Sequence, residues 1–118
     1  FDERIKICAP SCAFCPYKSS VLDILHCECN QIPQAINYFE MQDLSELICP
    51  RELIIIAGEK DDIFPIEGVK EGYKTVEKIY GHYNAGNNCR LKITPREHRW
   101  CTEIVWKAIG EAVKKLWV

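Results

Sequence analysis

The sequence predicts an α/β fold, about three parallel strands with flanking helices, and three observations carry that prediction. Residues 53–57 (Leu-Ile-Ile-Ile-Ala) form a continuous apolar run closed by Gly58, the pattern of a strand covered on both faces. Val69, Tyr73, Val76 and Ile79 or Tyr80 then recur at helical spacing. After the turn-forming residues 84–88, a further strand at 90–94 leads into a helix. Trp100, Ile104, Val105, Ala108, Ile109, Ala112 and Leu116 share one face of it. Strands that alternate with helices imply right-handed crossovers and a parallel sheet.

Taken in order, residues 4–9 place apolar side chains at alternate positions and read as a strand stopped by Pro10. Residues 11–35 are a long connection rich in Cys, Ser and Pro, with a short apolar helical stretch at 20–25. Pro33 opens a predicted short helix through Phe39, and residues 41–48 read as another, with Asp43 favouring its positive end. Pro65 suits the first turn of the helix that follows the apolar strand. No internal repeat, low-complexity segment or linker interrupts the chain, so residues 1–118 are read as one domain.

Apolar residues make up 47% and charged residues 27%, with a formal net charge of -2, an ordinary balance for a globular protein. The 15 basic residues are scattered among 17 acidic ones, which argues against a nucleic-acid partner. No stretch approaches the length of a membrane span, and residues 1–4 lack a signal-peptide layout. The first residue is Phe1 rather than methionine, which predicts a fragment or processed product. Eight cysteines stand at 8, 12, 15, 27, 29, 49, 89 and 101. A secreted disulfide scaffold is usually smaller and less apolar, so these read as reduced thiols of a cytoplasmic protein.

Two ionisable residues stand out by position. Asp61 lies four residues past the end of one predicted strand, and His98 four past the end of the next. In an open parallel sheet, ligands collect beyond the carboxyl ends of strands, so both side chains are expected at one rim. A carboxylate beside an imidazole fixes its tautomer and stabilises the imidazolium formed when the ring takes a nucleophile's proton. Against this, a single Asp after a strand is commonly a turn or capping residue.

The same residues carry a resemblance. The stretch 49–69, with Cys49-Pro50-Arg51 and Gly58-Glu59-Lys60-Asp61-Asp62-Ile63-Phe64-Pro65, resembles the acid-bearing strand and loop of α/β-hydrolases related to acetyl xylan esterases and dienelactone hydrolases. Glu97-His98-Arg99-Trp100 is similar to that group's base-bearing segment, Phe1-Asp2-Glu3-Arg4-Ile5-Lys6 to the segment after its nucleophile helix, and His26-Cys27-Glu28-Cys29-Asn30 with Pro33 to a loop found in some members. The resemblance implies a serine esterase with Asp61 as catalytic acid and His98 as base. It implies the last three strands of an eight-stranded sheet, no cofactor, and a small ester or acetylated carbohydrate as substrate. Two positions depart from the pattern: Glu97 replaces a glycine, which is expected to restrict the loop, and Asp62 replaces a common proline.

The nucleophile is the larger departure. A Gly-x-Ser-x-Gly elbow occurs nowhere in the 118 residues, and Ser11, Ser19, Ser20 and Ser45 read as turn or capping serines. The chain is therefore expected to be the acid–base part of an incomplete sheet, inactive alone. Its first strand would have a free edge for a homodimer or a complementing N-terminal segment.

The cysteines support competing readings. Cys8, Cys12 and Cys15 have the C-x3-C-x2-C spacing of enzymes that bind a [4Fe–4S] cluster and S-adenosylmethionine. His26, Cys27 and Cys29 could join Cys12 or Cys15 around zinc. Neither reading is accompanied by glycine-rich cofactor segments or a second C-x2-C pair, and buried structural thiols remain the simpler expectation. A non-catalytic association module is the other alternative. Trp100, Trp106 and Trp117 are expected to pack with the terminal helix, and His82 to sit near a helix C-terminus.

Overall fold

The computed structural model describes residues 2–117; Phe1, the first residue of the Phe1–Lys6 resemblance, lies outside them. Three parallel strands, β1 (Ile7–Cys8), β2 (Glu52–Gly58) and β3 (Cys89–Thr94), form one open sheet in the order β1-β2-β3. The register runs Leu53 to Cys89 through Gly58 to Thr94, and Ile7 to Glu52.

β2 is buried along its whole length because each face meets a helix. Leu53, Ile55 and Ala57 pack with Val69, Val76 and Tyr80 of α1 (Ile66–His82). Ile54 and Ile56 pack with Val105, Ala108 and Ala112 of α2 (Thr102–Leu116) on the opposite face. The result is a three-layer α/β/α arrangement, and the apolar run of the sequence is its middle layer. Burying each of these isoleucines contributes about 1.5–3 kcal/mol relative to exposure.

The helix ends follow local chemistry. Glu67 lies in the first turn of α1 and Glu103 in that of α2, with Lys114–Lys115 in the last turn of α2, charges that complement the helix dipoles. Asn84 takes a left-handed backbone with φ 56°, and the Ala85 N–H returns to the Tyr80 carbonyl at 2.8 Å, closing α1.

The first strand is shorter than predicted. Pro10 has no N–H and interrupts the ladder, yet the chain stays beside β2: Ile56 N–H donates to the Pro10 carbonyl, and Cys12 N–H to the Ile56 carbonyl, both at 2.9 Å. The helices expected at 20–25 and 33–39 are also absent. That region instead holds short 3₁₀ turns at Tyr17–Ser19, Glu28–Asn30 and Ala35–Asn37. Windows of six and seven residues cannot offset the cost of nucleating an α-helix, and Gln34 at φ 61° breaks the second one outright. Residues Met41–Leu47 are 3₁₀ as well, begun by a reciprocal Glu40–Asp43 capping box.

The tryptophans correct another expectation. Trp100, Trp106 and Trp117 are 49%, 60% and 86% exposed, and Leu116 of the predicted apolar face is exposed too. The buried stripe of α2 is narrow because small Ala108 and Ala112 bring the helix close to β2, which leaves the indoles outside the contact.

Candidate active site

Asp61 and His98 leave the C-terminal ends of adjacent strands and meet. The His98 Nδ1 to Asp61 Oδ2 distance is 3.0 Å. A carboxylate only accepts, so Nδ1 carries the proton of this hydrogen bond. The other oxygen, Oδ1, accepts the backbone N–H groups of Ile63 at 2.9 Å and Phe64 at 3.0 Å. The Asp61 side chain is 1% exposed and that of His98 is 46% exposed. A buried, fully bonded acid thus holds one nitrogen of a solvent-facing imidazole, and Nε2 has no hydrogen-bond partner among the described residues.

The two loops are tied to each other before the side chains meet. Glu59 N–H donates to the Thr94 carbonyl at 2.8 Å, and Lys60 N–H to the Arg96 carbonyl at 3.0 Å. Gly58 permits this approach: a Cβ there would lie 2.5 Å from the Glu97 carbonyl oxygen and 2.6 Å from that of Arg96. Glu97, where a glycine was expected, is not among the positive-φ residues, so its side chain costs the loop no backbone strain. The Phe64 ring stacks against His98, with centroids 5.7 Å apart and planes 13° from parallel.

Asp62 is exposed and faces an open groove of about 460 Å³ that His98 also lines. Lys60 and Arg99 supply positive charge there, and Asp62 and Glu97 negative charge. The structure therefore distinguishes the two neighbouring carboxylates: Asp61 is turned in to the imidazole and Asp62 out to the groove.

Cys8, Cys12 and Cys15 have separate surroundings. Cys8 lines an apolar cavity with Ile48 and Arg51, while the Cys15 thiol faces the Pro65 carbonyl beneath α1. Cys12 sits at the rim with φ 49°, its thiol 3.6 Å from the Arg99 carbonyl. Its sulfur and the donor atoms of Asp61 and His98 all lie within 4.8 Å of one another. Such a set could hold a borderline ion such as Zn²⁺, but both Asp61 oxygens are already engaged by protein donors. Burial pushes the Cys12 thiol above its ordinary range, so it is a neutral neighbour of the pair and not an activated nucleophile. All eight cysteines are free thiols; Cys27 and Cys29 are exposed, whereas Cys12, Cys15, Cys89 and Cys101 are buried.

The structure adds a second polar pair that sequence reasoning assigned otherwise. His26, weighed above as a zinc ligand, is buried, and its Nε2 lies 2.8 Å from the buried Ser20 Oγ. Ser20, read as a turn serine, donates to the Ile63 carbonyl at 2.6 Å. Because the Ser20 proton is used there, its oxygen accepts from His26 Nε2–H. His82 occupies the last turn of α1, as expected.

No helix among the described residues is long and apolar enough to cross a membrane. Comparison with protein-family models finds no match, and no solved structure matches. The chain is similar to "Putative hydrolase YtaP" of Bacillus subtilis (strain 168), with 28% identity over 94 residues. That alignment covers 76% of this chain and 31% of the relative, so the chain spans about a third of the length of the protein it matches. The likeness is to a hydrolase, and the fold is α/β with an open parallel sheet.

Proposed function

We propose that this chain supplies the acid and base of a serine esterase of the α/β-hydrolase type, acting on small esters or acetylated carbohydrates. One observation carries the reading: Asp61 and His98, delivered by adjacent parallel strands, lie 3.0 Å apart, with Nε2 of the half-exposed imidazole free of any hydrogen-bond partner among the described residues. In this reading a serine from a segment outside the 118 residues presents its hydroxyl to His98 Nε2. His98 takes that proton as the serine oxygen attacks the ester carbonyl, and returns it to the departing alcohol. Asp61 keeps the proton of the free base on Nδ1 and stabilises the imidazolium formed in between. The likeness to a hydrolase over most of this chain supports the same class. A strand that carries the serine would be accommodated by the free edge of β1, as would a second copy of the chain.

The test is a chimera in which this chain replaces the matched region of the Bacillus subtilis relative, assayed with p-nitrophenyl acetate. Hydrolysis is expected, with a loss of about 10³-fold or more in His98→Ala and a large loss in Asp61→Asn. The isolated chain is expected to show no turnover above that of free imidazole. Robust hydrolysis by the isolated chain, or a folded active chimera indifferent to His98→Ala, would overturn the proposal.

A further inference from the structure

We infer that His26, acting through Ser20, is a positioning residue for the Asp61–His98 pair; the inference rests on the acid–base reading of that pair and names what holds it in register. Asp61 leaves β2 on a loop, 59–65, that has no helix or strand of its own to fix it. The peptide unit joining Ile63 to Phe64 is gripped from both sides. Its carbonyl accepts from Ser20 Oγ at 2.6 Å, and its N–H donates to Asp61 Oδ1 at 3.0 Å. Rotating that one plane would break both bonds. Ser20 is itself oriented by His26 Nε2 at 2.8 Å, and Asn30 Nδ2 approaches the far ring nitrogen, Nδ1, at 3.4 Å.

Donor follows donor in a single direction: Asn30 to His26, His26 to Ser20, Ser20 to the Ile63 carbonyl. The same peptide then donates to Asp61, whose other oxygen receives His98. A second path runs through packing. Phe64 meets the His26 ring edge-on at 5.1 Å and stacks against His98 at 5.7 Å, so one phenyl ring separates the two imidazoles. Ser20 is 0% and His26 7% exposed, so water is not available to replace either partner. A buried pair that merely filled space would need neither the hydrogen-bond direction nor the shared peptide.

The readout is the tautomer of each imidazole in the 118-residue chain, measured by nitrogen-15 NMR, together with exchange protection of the His98 Nδ1 proton. In the wild-type chain His98 is expected as the Nδ1–H tautomer and His26 as Nε2–H. Ser20→Ala and His26→Leu are expected to move the neutral His98 several-fold toward the Nε2–H form preferred by free imidazole and to abolish the protection. His26→Gln, whose amide can donate to Ser20, is expected to recover most of both. Finding His26 as Nδ1–H in the wild-type chain overturns the inference whatever the variants do, as does a folded Ser20→Ala or His26→Leu that leaves His98 unchanged. Failure of the acid–base reading looks different: His98 would lack the Nδ1–H form already in the wild-type chain, or would keep it in Asp61→Asn.

Discussion

Gly58→Ala isolates the coupling between the sheet and the candidate site, because Gly58 ends β2 where the base-bearing loop crosses it. A methyl group there would meet two backbone carbonyl oxygens, of Glu97 at 2.5 Å and Arg96 at 2.6 Å. Ordinary contact begins near 3.4 Å, so the loop must retreat by about 0.8–0.9 Å. Neither obstacle is a flexible side chain that can turn away. His98 follows Glu97 directly, and a shift of that size along the His98–Asp61 direction would stretch the 3.0 Å hydrogen bond to about 3.8 Å, beyond useful reach.

Overpacking of this kind costs about 1–3 kcal/mol, which urea denaturation measures. The more telling effect is local. Loss of the protected His98 Nδ1–H signal is expected while the shifts of the α1-facing core, Val69, Val76 and Tyr80, stay near their wild-type values. In the chimera, a displacement near 1 Å would lower kcat by about 10²-fold with little change in KM. A Gly58→Ala chain that retains both the Nδ1–H signal and wild-type stability would refute the claim that this contact sets the position of the base.

Other perturbations probe the frame and the thiols. Glu52→Gln removes the buried carboxylate that lies 2.8 Å from Arg90 and 2.6 Å from Lys115, and leaves Arg90 only the more distant Glu111 at 3.7 Å. A loss of about 2–4 kcal/mol is expected as a lower urea midpoint at unchanged slope, and a loss below about 0.5 kcal/mol would show that the partly exposed cations simply turn to water. Burial, reinforced by Glu40, Asp61 and Glu71, pushes the Cys15 thiol from 9.0 up to about 12, while burial also raises Tyr73 and Tyr80. The unfolded chain therefore loses these protons first as pH rises. For Cys15 the stability contribution is expected to be full below pH 9 and to fall between pH 9 and 12 by about 1.4 kcal/mol per pH unit, with the two tyrosines adding to the decline only above 10.0, and with Cys15→Ala showing a shallower decline. Thiol titration with a disulfide reagent at pH 8 should give a fast phase of two groups, Cys27 and Cys29, and slow labelling of buried Cys12, Cys15, Cys89 and Cys101; simultaneous labelling of all eight would contradict the packing.

The elements that carry the sheet were legible because their signals are redundant. β2 is apolar from Leu53 to Ala57, alternate residues facing α1 and α2, and α1 repeats its buried residues at a spacing no strand produces. Asp61 and His98 were legible as positions, since a parallel register carries residues just past the ends of paired strands to one rim: Asp61 lies three residues past Gly58, and His98 four past its partner Thr94. Glu52 was not singled out, although the register holds the explanation: it sits one residue before the Leu53–Cys89 pairing, where Arg90 and Lys115 can reach its carboxylate. Residues 11–40 were the least legible. Their structure depends on partners distant in sequence, such as Ser20 with Ile63 and the Tyr17 N–H with Glu40, and no periodicity encodes such pairings.

That long connection is also where the chemistry of the site acquires its precision. The parallel strands bring an acid and a base to the same rim, but a strand end alone leaves a carboxylate free to turn. What restricts Asp61 is a set of short-range bonds made by its own loop, and what restricts the loop is Ser20 from below and the Thr94 and Arg96 carbonyls from the side. Two independent clamps on one carboxylate fit a group whose direction matters more than its charge. A carboxylate that served only as a counter-ion would tolerate rotation, because Coulomb attraction at this distance changes little with angle, whereas a hydrogen bond weakens steeply when misaligned.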